Sequence, residues 1–124
     1  ILAAAPSYGV FSADGLGRFQ KDMTDSAAEA VAPQSHVPDA MNRKTPQYMV
    51  RGTKDFLITD EAVSAFAGAL KSQGQTVVYD QVEGAGHAFF DWKPNDEVKA
   101  TFKEYGVPYA IKMRDFFEQH LLGE

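Results

Sequence analysis

Two residues of this chain combine the right side-chain type with the right setting for proton-transfer chemistry. His87 stands in "VEGAGHAFFDW" (82–92), at the end of an apolar run and just after a short glycine-rich turn. Asp55 stands in "RGTKDFLIT", three residues past Gly52. A carboxylate that accepts a hydrogen bond from one imidazole nitrogen fixes the tautomer of the ring. It also stabilises the imidazolium that forms when the other nitrogen takes a proton. That is the chemistry of a general base. Taken singly, each residue also suits a plain turn, so the elements around them must bring both to one edge.

Those elements alternate. Residues 1 to 5, "ILAAA", are continuously apolar and stop at Pro6-Ser7-Tyr8-Gly9, as expected of a strand buried on both faces that ends in a turn. Ser7, with a proline before it and no helix start after it, reads as a turn serine. Residues 10 to 45 form an irregular insert or cap-like region. Within it Ser26 and Glu29 have capping-box spacing ahead of a short Ala-rich helix that Pro33 ends. "QYMVRG" (47–52) is a second strand. Thr59 or Asp60 caps a helix whose Val63, Phe66, Ala67 and Leu70 share one face, with Gly74 just past its end. "TVVYDQV" (76–82) is a third strand. A short amphipathic helix follows over 95–105 through Val98, Phe102 and Tyr105. A closing helix starts near Pro108 with Ala110, Met113, Phe117 and Leu121 along one side. Strands alternating with helices indicate an α/β fold with a parallel sheet, in which functional groups gather beyond the carboxyl ends of the strands. Asp55 and His87 both fall there.

The stretch "GTKDFLITDEAVSAFAGALKSQGQTVVYDQVEGAGHAFF" resembles the C-terminal part of an α/β-hydrolase of the esterase type. It shares the G-x-x-D turn after the seventh strand, the x-F-x-x-A-L-x-x-x-G helix and an eighth strand ending in a glycine turn and histidine. "AVAPQSHVPDAMNRKTPQYMVRG" is similar to the segment before the seventh strand in acetyl-esterase and feruloyl-esterase relatives. "ILAAAPSYG" is similar to their sixth strand and "PYAIKMRDFFEQHL" to their closing helix. The resemblance covers nearly the whole chain. It implies strands six to eight of an α/β-hydrolase with covering helices, incomplete alone, with 1–124 the C-terminal segment of a single domain. Asp55 would be the acid and His87 the base of a catalytic triad. A dienelactone-hydrolase-like enzyme with a cysteine nucleophile is a close variant.

The nucleophile that such enzymes carry in a G-x-S-x-G elbow has no counterpart here. The expectation is a carboxylic ester hydrolase whose nucleophile lies elsewhere, on a missing N-terminal segment or a partner chain that holds strands one to five. The abrupt start on a strand, with no leader or initiator Met, agrees with a fragment, a processed product or one half of a nicked protein. A small ester is the expected substrate, with acylated carbohydrates one candidate class, and Phe90 or Trp92 faces the cleft. The competing class is a non-catalytic, hydrolase-derived interaction fragment. Retention of Asp55 and His87 in the right turns favours the enzyme.

Other chemistries fit poorly. A net charge of −5 over 124 residues, with no Lys/Arg tract, argues against general nucleic-acid binding. No cysteine is present, which removes disulfides, thiolate metal sites and a cysteine nucleophile from this chain, and identifies no compartment. "GAGHAF" and "GLGRFQ" supply only the first two glycines of a dinucleotide fingerprint, and no cofactor is expected. His36, Asp39 and His120 match no metal-site spacing. His36 reads as structural or exposed, and His120 as a cation suiting the last turn of a helix. "ILAAAP" is similar to the end of a signal peptide, but it lacks a basic leader and is far too short to span a bilayer.

Overall fold

The computed structural model describes residues 2–12, 21–38 and 44–123. Its centre is β1, Gln47–Gly52, paired in parallel with β2, Val77–Val82, in a register that sets Gln47 opposite Val77 and Gly52 opposite Val82. From Tyr48 onward every residue of β1 is buried, as expected of a parallel strand covered on both faces. The faces alternate with the pleat. Met49 points into a core with Val63, Phe66, Ala67 and Leu70 of α2, Asp60–Ser72, joined by Phe11, Val37 and Ile58. Tyr48 and Val50 point the other way, into a cluster with Ala85, Phe89, Tyr109 and Phe116. The sheet is thus the middle of three layers.

The N-terminal segment runs parallel to the free edge of β1, so the order across the sheet is segment 4–8, β1, β2. Its pairing is not confined to the first five residues. Tyr48 N–H donates to Ala4 O (2.8 Å), Val50 N–H to Pro6 O (3.2 Å) and Tyr8 N–H to Val50 O (2.9 Å). Only the carbonyl of Pro6 enters the ladder, so the missing proline N–H costs nothing. Ser7, expected in a free turn, instead bridges to Val50 and shares a 2.8 Å hydrogen bond with the Tyr109 hydroxyl.

α1, Asp25–Val31, is the short Ala-rich helix expected within the insert, and its cap lies two residues earlier than its sequence implies. Thr24, not Ser26, is the N-cap, its Oγ1 accepting from Ala27 N–H. Glu29 is instead taken by Ser35 Oγ at 2.7 Å. Ala32 and Pro33 end the helix, and a 3₁₀ turn, Pro33–His36, follows. Thr59 caps α2, and Gly74 beyond its end adopts φ +78°, as a left-handed C-terminal glycine should.

The two C-terminal helices predicted with a break near Pro108 form one continuous helical run. α3, Asp96–Thr101, passes through a π-helical turn, Phe102–Gly106, into α4, Val107–Leu121. Val107 N–H reaches back to Phe102 O, and the wider turn absorbs Pro108, which has no N–H to offer. The buried face of α4 also differs from expectation. Tyr109 and Phe116 carry it, with Met113 and Phe117 of the expected face packed against the same cluster, while Leu121 is exposed at the rim of a shallow apolar groove. The aromatic rings bury more surface, and they set the rotation of the helix. No helix among the described residues is long and apolar enough to cross a membrane.

Two glycines make opposite predictions. A Cβ on Gly52 would lie 2.3 Å from Ala85 O, a backbone atom that cannot yield, whereas exposed Gly68, within α2, has nothing within 4 Å. Gly52→Ala should lower the unfolding free energy by about 1–3 kcal/mol or more. Gly68→Ala should raise it by up to about 1 kcal/mol. Urea denaturation of both variants checks the pair, and a neutral Gly52→Ala would contradict the close approach.

Candidate active site

The two loops that leave the carboxyl ends of β1 and β2 are stitched together by backbone bonds. Thr53 N–H donates to Val82 O (3.0 Å) and Lys54 N–H to Ala85 O (2.9 Å), while Gly84 N–H donates to Thr53 Oγ1 (2.9 Å). Gly84, at φ +82°, makes the left-handed turn this requires. The stitch carries Asp55 and His87, 32 positions apart in sequence, to one point.

There His87 Nδ1 and Asp55 Oδ2 lie 2.8 Å apart. An ionised carboxylate only accepts, so Nδ1 carries the proton and Nε2 is left as the other ring nitrogen. The Asp55 side chain is fully buried, while that of His87 is 36% exposed. The carboxylate is enclosed and the imidazole opens to the surface. The second oxygen of Asp55 is also satisfied: Oδ1 accepts from the N–H groups of Leu57 and Ile58, both at 2.9 Å. Burial by itself would raise the Asp55 pKa. The bonds from Ile58 N–H, His87 and Leu57 N–H, with the imidazole charge, outweigh it and hold the carboxyl below its ordinary range.

Three supports of this pair are not visible as chemistry in the sequence. Buried Arg51 donates from Nε to Ile58 O (2.5 Å) and from Nη2 to Asp55 O (3.0 Å), gripping the backbone of the acid loop, while Nη1 reaches Gln81 Oε1 (3.0 Å). The only signal for it was a charged residue inside an apolar strand. Tyr8 lies with its ring centroid 5.2 Å from that of His87 and its hydroxyl 2.8 Å from Asp91 Oδ1. Burial first, then the bond to Asp91, pushes the Tyr8 phenol well above its usual pKa. Finally, Tyr8 (φ +41°) and Ala88 (φ +59°) are the non-glycine residues with positive φ among those described, and both adjoin His87. Such a conformation costs roughly 1–2 kcal/mol per residue. Strain of this kind collects where a side chain must be aimed.

The remaining sequence candidates separate. Phe89 is core. Phe90 is wedged between Phe102 (centroids 5.6 Å, stacked) and Tyr109 (5.0 Å, edge-on), whereas Trp92 is 58% exposed. A groove of about 350 Å³ runs between Gly9, Val10 and Phe11 on one side and Leu57, Ile58 and Ala62 on the other, starting two residues beyond Asp55. His36 is exposed, with Nε2 2.6 Å from Ala30 O, and His120 rests against Phe116 on α4. Asp39 and "GLGRFQ" fall outside the described residues. Among the described residues no group of three or more His, Asp or Glu is arranged to hold a metal ion.

The model of the dienelactone hydrolase family matches residues 2–121. No curated protein matches the chain. Among solved structures, a thermophilic esterase of the Planctomycetes species Thermogutta terrifontis, esterase 2 in its native form, superposes with a TM-score of 0.63 at 22% identity. It covers 97% of this chain and 42% of its own. The same esterase phosphonylated by sarin gives a TM-score of 0.67 at 21% identity, covering 97% of this chain and 44% of its own. The propionate-bound form gives 0.55 at 23% identity, covering 90% and 43%. At these identities the likeness concerns the fold, which is that of an α/β-hydrolase, and the chain spans less than half the length of these structures.

Because the folded pKa of Asp55 is depressed, its contribution to stability is fully present above the unfolded value of 3.8. That contribution is lost as pH falls through the lower folded value. The difference in unfolding free energy between the parent and Asp55→Asn should therefore hold steady from about pH 7 to about pH 5 and shrink below about pH 4. Urea titrations across that range test it. An unchanged difference between about pH 5 and about pH 3 would show that Asp55 is not held as described.

Proposed function

This chain belongs to the dienelactone hydrolase family, and from that premise we propose that it supplies the acid and the base of a carboxylic ester hydrolase. The observation that carries the reading is the 2.8 Å contact between His87 Nδ1 and Asp55 Oδ2, with the acid buried and the base exposed. In the proposed cycle His87 takes the proton of a nucleophilic hydroxyl or thiol as that group attacks the ester carbonyl. The imidazolium, steadied by Asp55, returns the proton to the departing alcohol. A water molecule, deprotonated by His87 in the same way, then releases the acid and frees the nucleophile.

We place the nucleophile and the oxyanion donors outside these 124 residues, on an N-terminal half acting as a partner chain. Two observations support this. The chain has no G-x-S-x-G elbow. Ser7, within the pairing segment, spends its hydroxyl on Tyr109. The proposed substrate is a small ester, with acylated carbohydrates among the candidates. Of Phe90 and Trp92, Trp92 is the more accessible for substrate contact, and Phe90 lends its ring to the packing beneath.

In the full protein that carries this chain, His87→Ala and Asp55→Asn should each reduce hydrolysis of p-nitrophenyl acetate by roughly 10⁴-fold while the circular dichroism stays that of the parent. Activity within tenfold of the parent in either variant would leave the hydrolase-derived interaction fragment as the better reading. Native mass spectrometry of the active material decides the location of the nucleophile. A second polypeptide supports the two-chain proposal, and one longer polypeptide overturns it. Trp92→Ala should alter the preference among acetyl, butyryl and aryl esters by about 1–3 kcal/mol in kcat/KM. Phe90→Ala should instead cost about 2 kcal/mol of stability or more with the ranking unchanged. The reverse pattern would exchange their roles.

A further inference from the structure

His87 is held by Asp55 through a single ring atom, Nδ1. One hydrogen bond is a hinge: it fixes a distance and leaves the imidazole plane free to swing about that contact. A base that must present Nε2 to a nucleophile within hydrogen-bond reach needs a second restraint, because proton transfer depends on that geometry. The ring of Tyr8 supplies that restraint. The Tyr8 ring lies 5.2 Å from the imidazole at a 57° tilt, and 5.7 Å from Phe89, which it meets edge-on. The Tyr8 hydroxyl donates to Asp91 Oδ1 at 2.8 Å, four residues past His87. Between them the loop turns at Ala88, whose carbonyl accepts from Asp91 N–H at 3.0 Å. Tyr8 is itself anchored, because its N–H donates to Val50 O (2.9 Å) in the middle of β1. Its φ of +41° places a large side chain where glycine is the unstrained choice, and that side chain is what reaches the loop.

We propose that Tyr8 is the positioning residue of His87, its ring stopping the swing of the imidazole and its hydroxyl clipping the loop to the sheet through Asp91. The inference rests on the reading of His87 as the catalytic base. Both restraints then originate on the same strand: β1 reaches His87 through Asp55 at its end and through Tyr8 at its edge.

The test uses steady-state hydrolysis of p-nitrophenyl acetate by the full protein in four variants. Tyr8→Phe keeps the ring and loses the clip, and Asp91→Ala loses the clip from the other side. A double variant carries both changes, and Tyr8→Leu removes the ring. Each clip variant should lower kcat about tenfold with KM nearly unchanged, and Tyr8→Leu should lower it on the order of 100-fold, as misplacement of a reacting group does. The double variant should match the worse single one, because both changes break the same bond. Thermal midpoints, read separately, should place Tyr8→Phe within a few degrees of the parent. A kcat within twofold of the parent in Tyr8→Phe and Asp91→Ala overturns the proposal. So does additivity in the double variant, or a loss that falls on KM. His87→Ala run alongside separates the two readings. If it keeps parental kcat, the base assignment has failed, whereas parental kcat in the clip variants alone condemns only the positioning role.

Discussion

The absence of a side chain at Gly52 is the constraint on which the site depends. β1 and β2 end side by side, and the loops beyond them cross so closely that the carbonyl of Ala85 occupies the space a Cβ at residue 52 would need. Because that space is empty, Lys54 N–H can reach the same carbonyl, Thr53 can bond Val82 and Gly84, and two loops from different strands become one backbone-bonded unit. Asp55 and His87 are carried on that unit. Their separation is set by main-chain bonds and not by side-chain flexibility, which is how a pair this far apart in sequence keeps a hydrogen-bond distance.

Around that unit the structure divides its labour by burial. The Asp55 carboxylate is sealed, its oxygens are met by Leu57, Ile58 and His87, and Arg51 ties down the carbonyls of Asp55 itself and of Ile58. His87 stands at the boundary, with one nitrogen committed inward and its ring partly open. A fully buried anion with a partly exposed imidazole keeps the charge pair strong on the side where water is excluded. The imidazole meanwhile stays partly open to the surface.

The parts legible in the sequence were those written locally. Gly52 ends β1, Thr59 caps α2 and Gly74 closes it, and the β-branched run of β2 lies where its composition placed it. The meeting of Asp55 with His87 followed from two glycine-punctuated strand ends in a parallel sheet. What escaped was decided by distant partners. Thr24 and Ser26 both offer cap chemistry, and Ser35, by taking Glu29, leaves the capping box at Ser26 without its acid. Ser7 looks like a turn residue until Tyr109, 102 positions later, takes its hydroxyl. Tyr8 carries no local mark of its place beside His87, since only the pairing of segment 4–8 with β1 brings it there.

The π-helical turn at Phe102–Gly106 has a consequence for phase. Phe102, Tyr109 and Phe116 are spaced by seven, so an unbroken α-helix would set all three in one stripe. A π turn takes up one residue more than an α turn, and everything after Gly106 is rotated against everything before it by roughly 100°. Tyr109 and Phe116 remain in step with each other, and both fall out of step with Phe102. Phe90, in contact with Phe102 and Tyr109, therefore sits in an angle between two helical faces. Gly106 allows that angle to close, since a Cβ there would stand 2.7 Å from the Phe102 ring. A one-residue insertion or deletion within this turn would change which aromatic backs the His87 loop, while every residue of the loop stayed the same. In this fold, helix length far from the Asp55–His87 pair acts as a dial on the wall behind it.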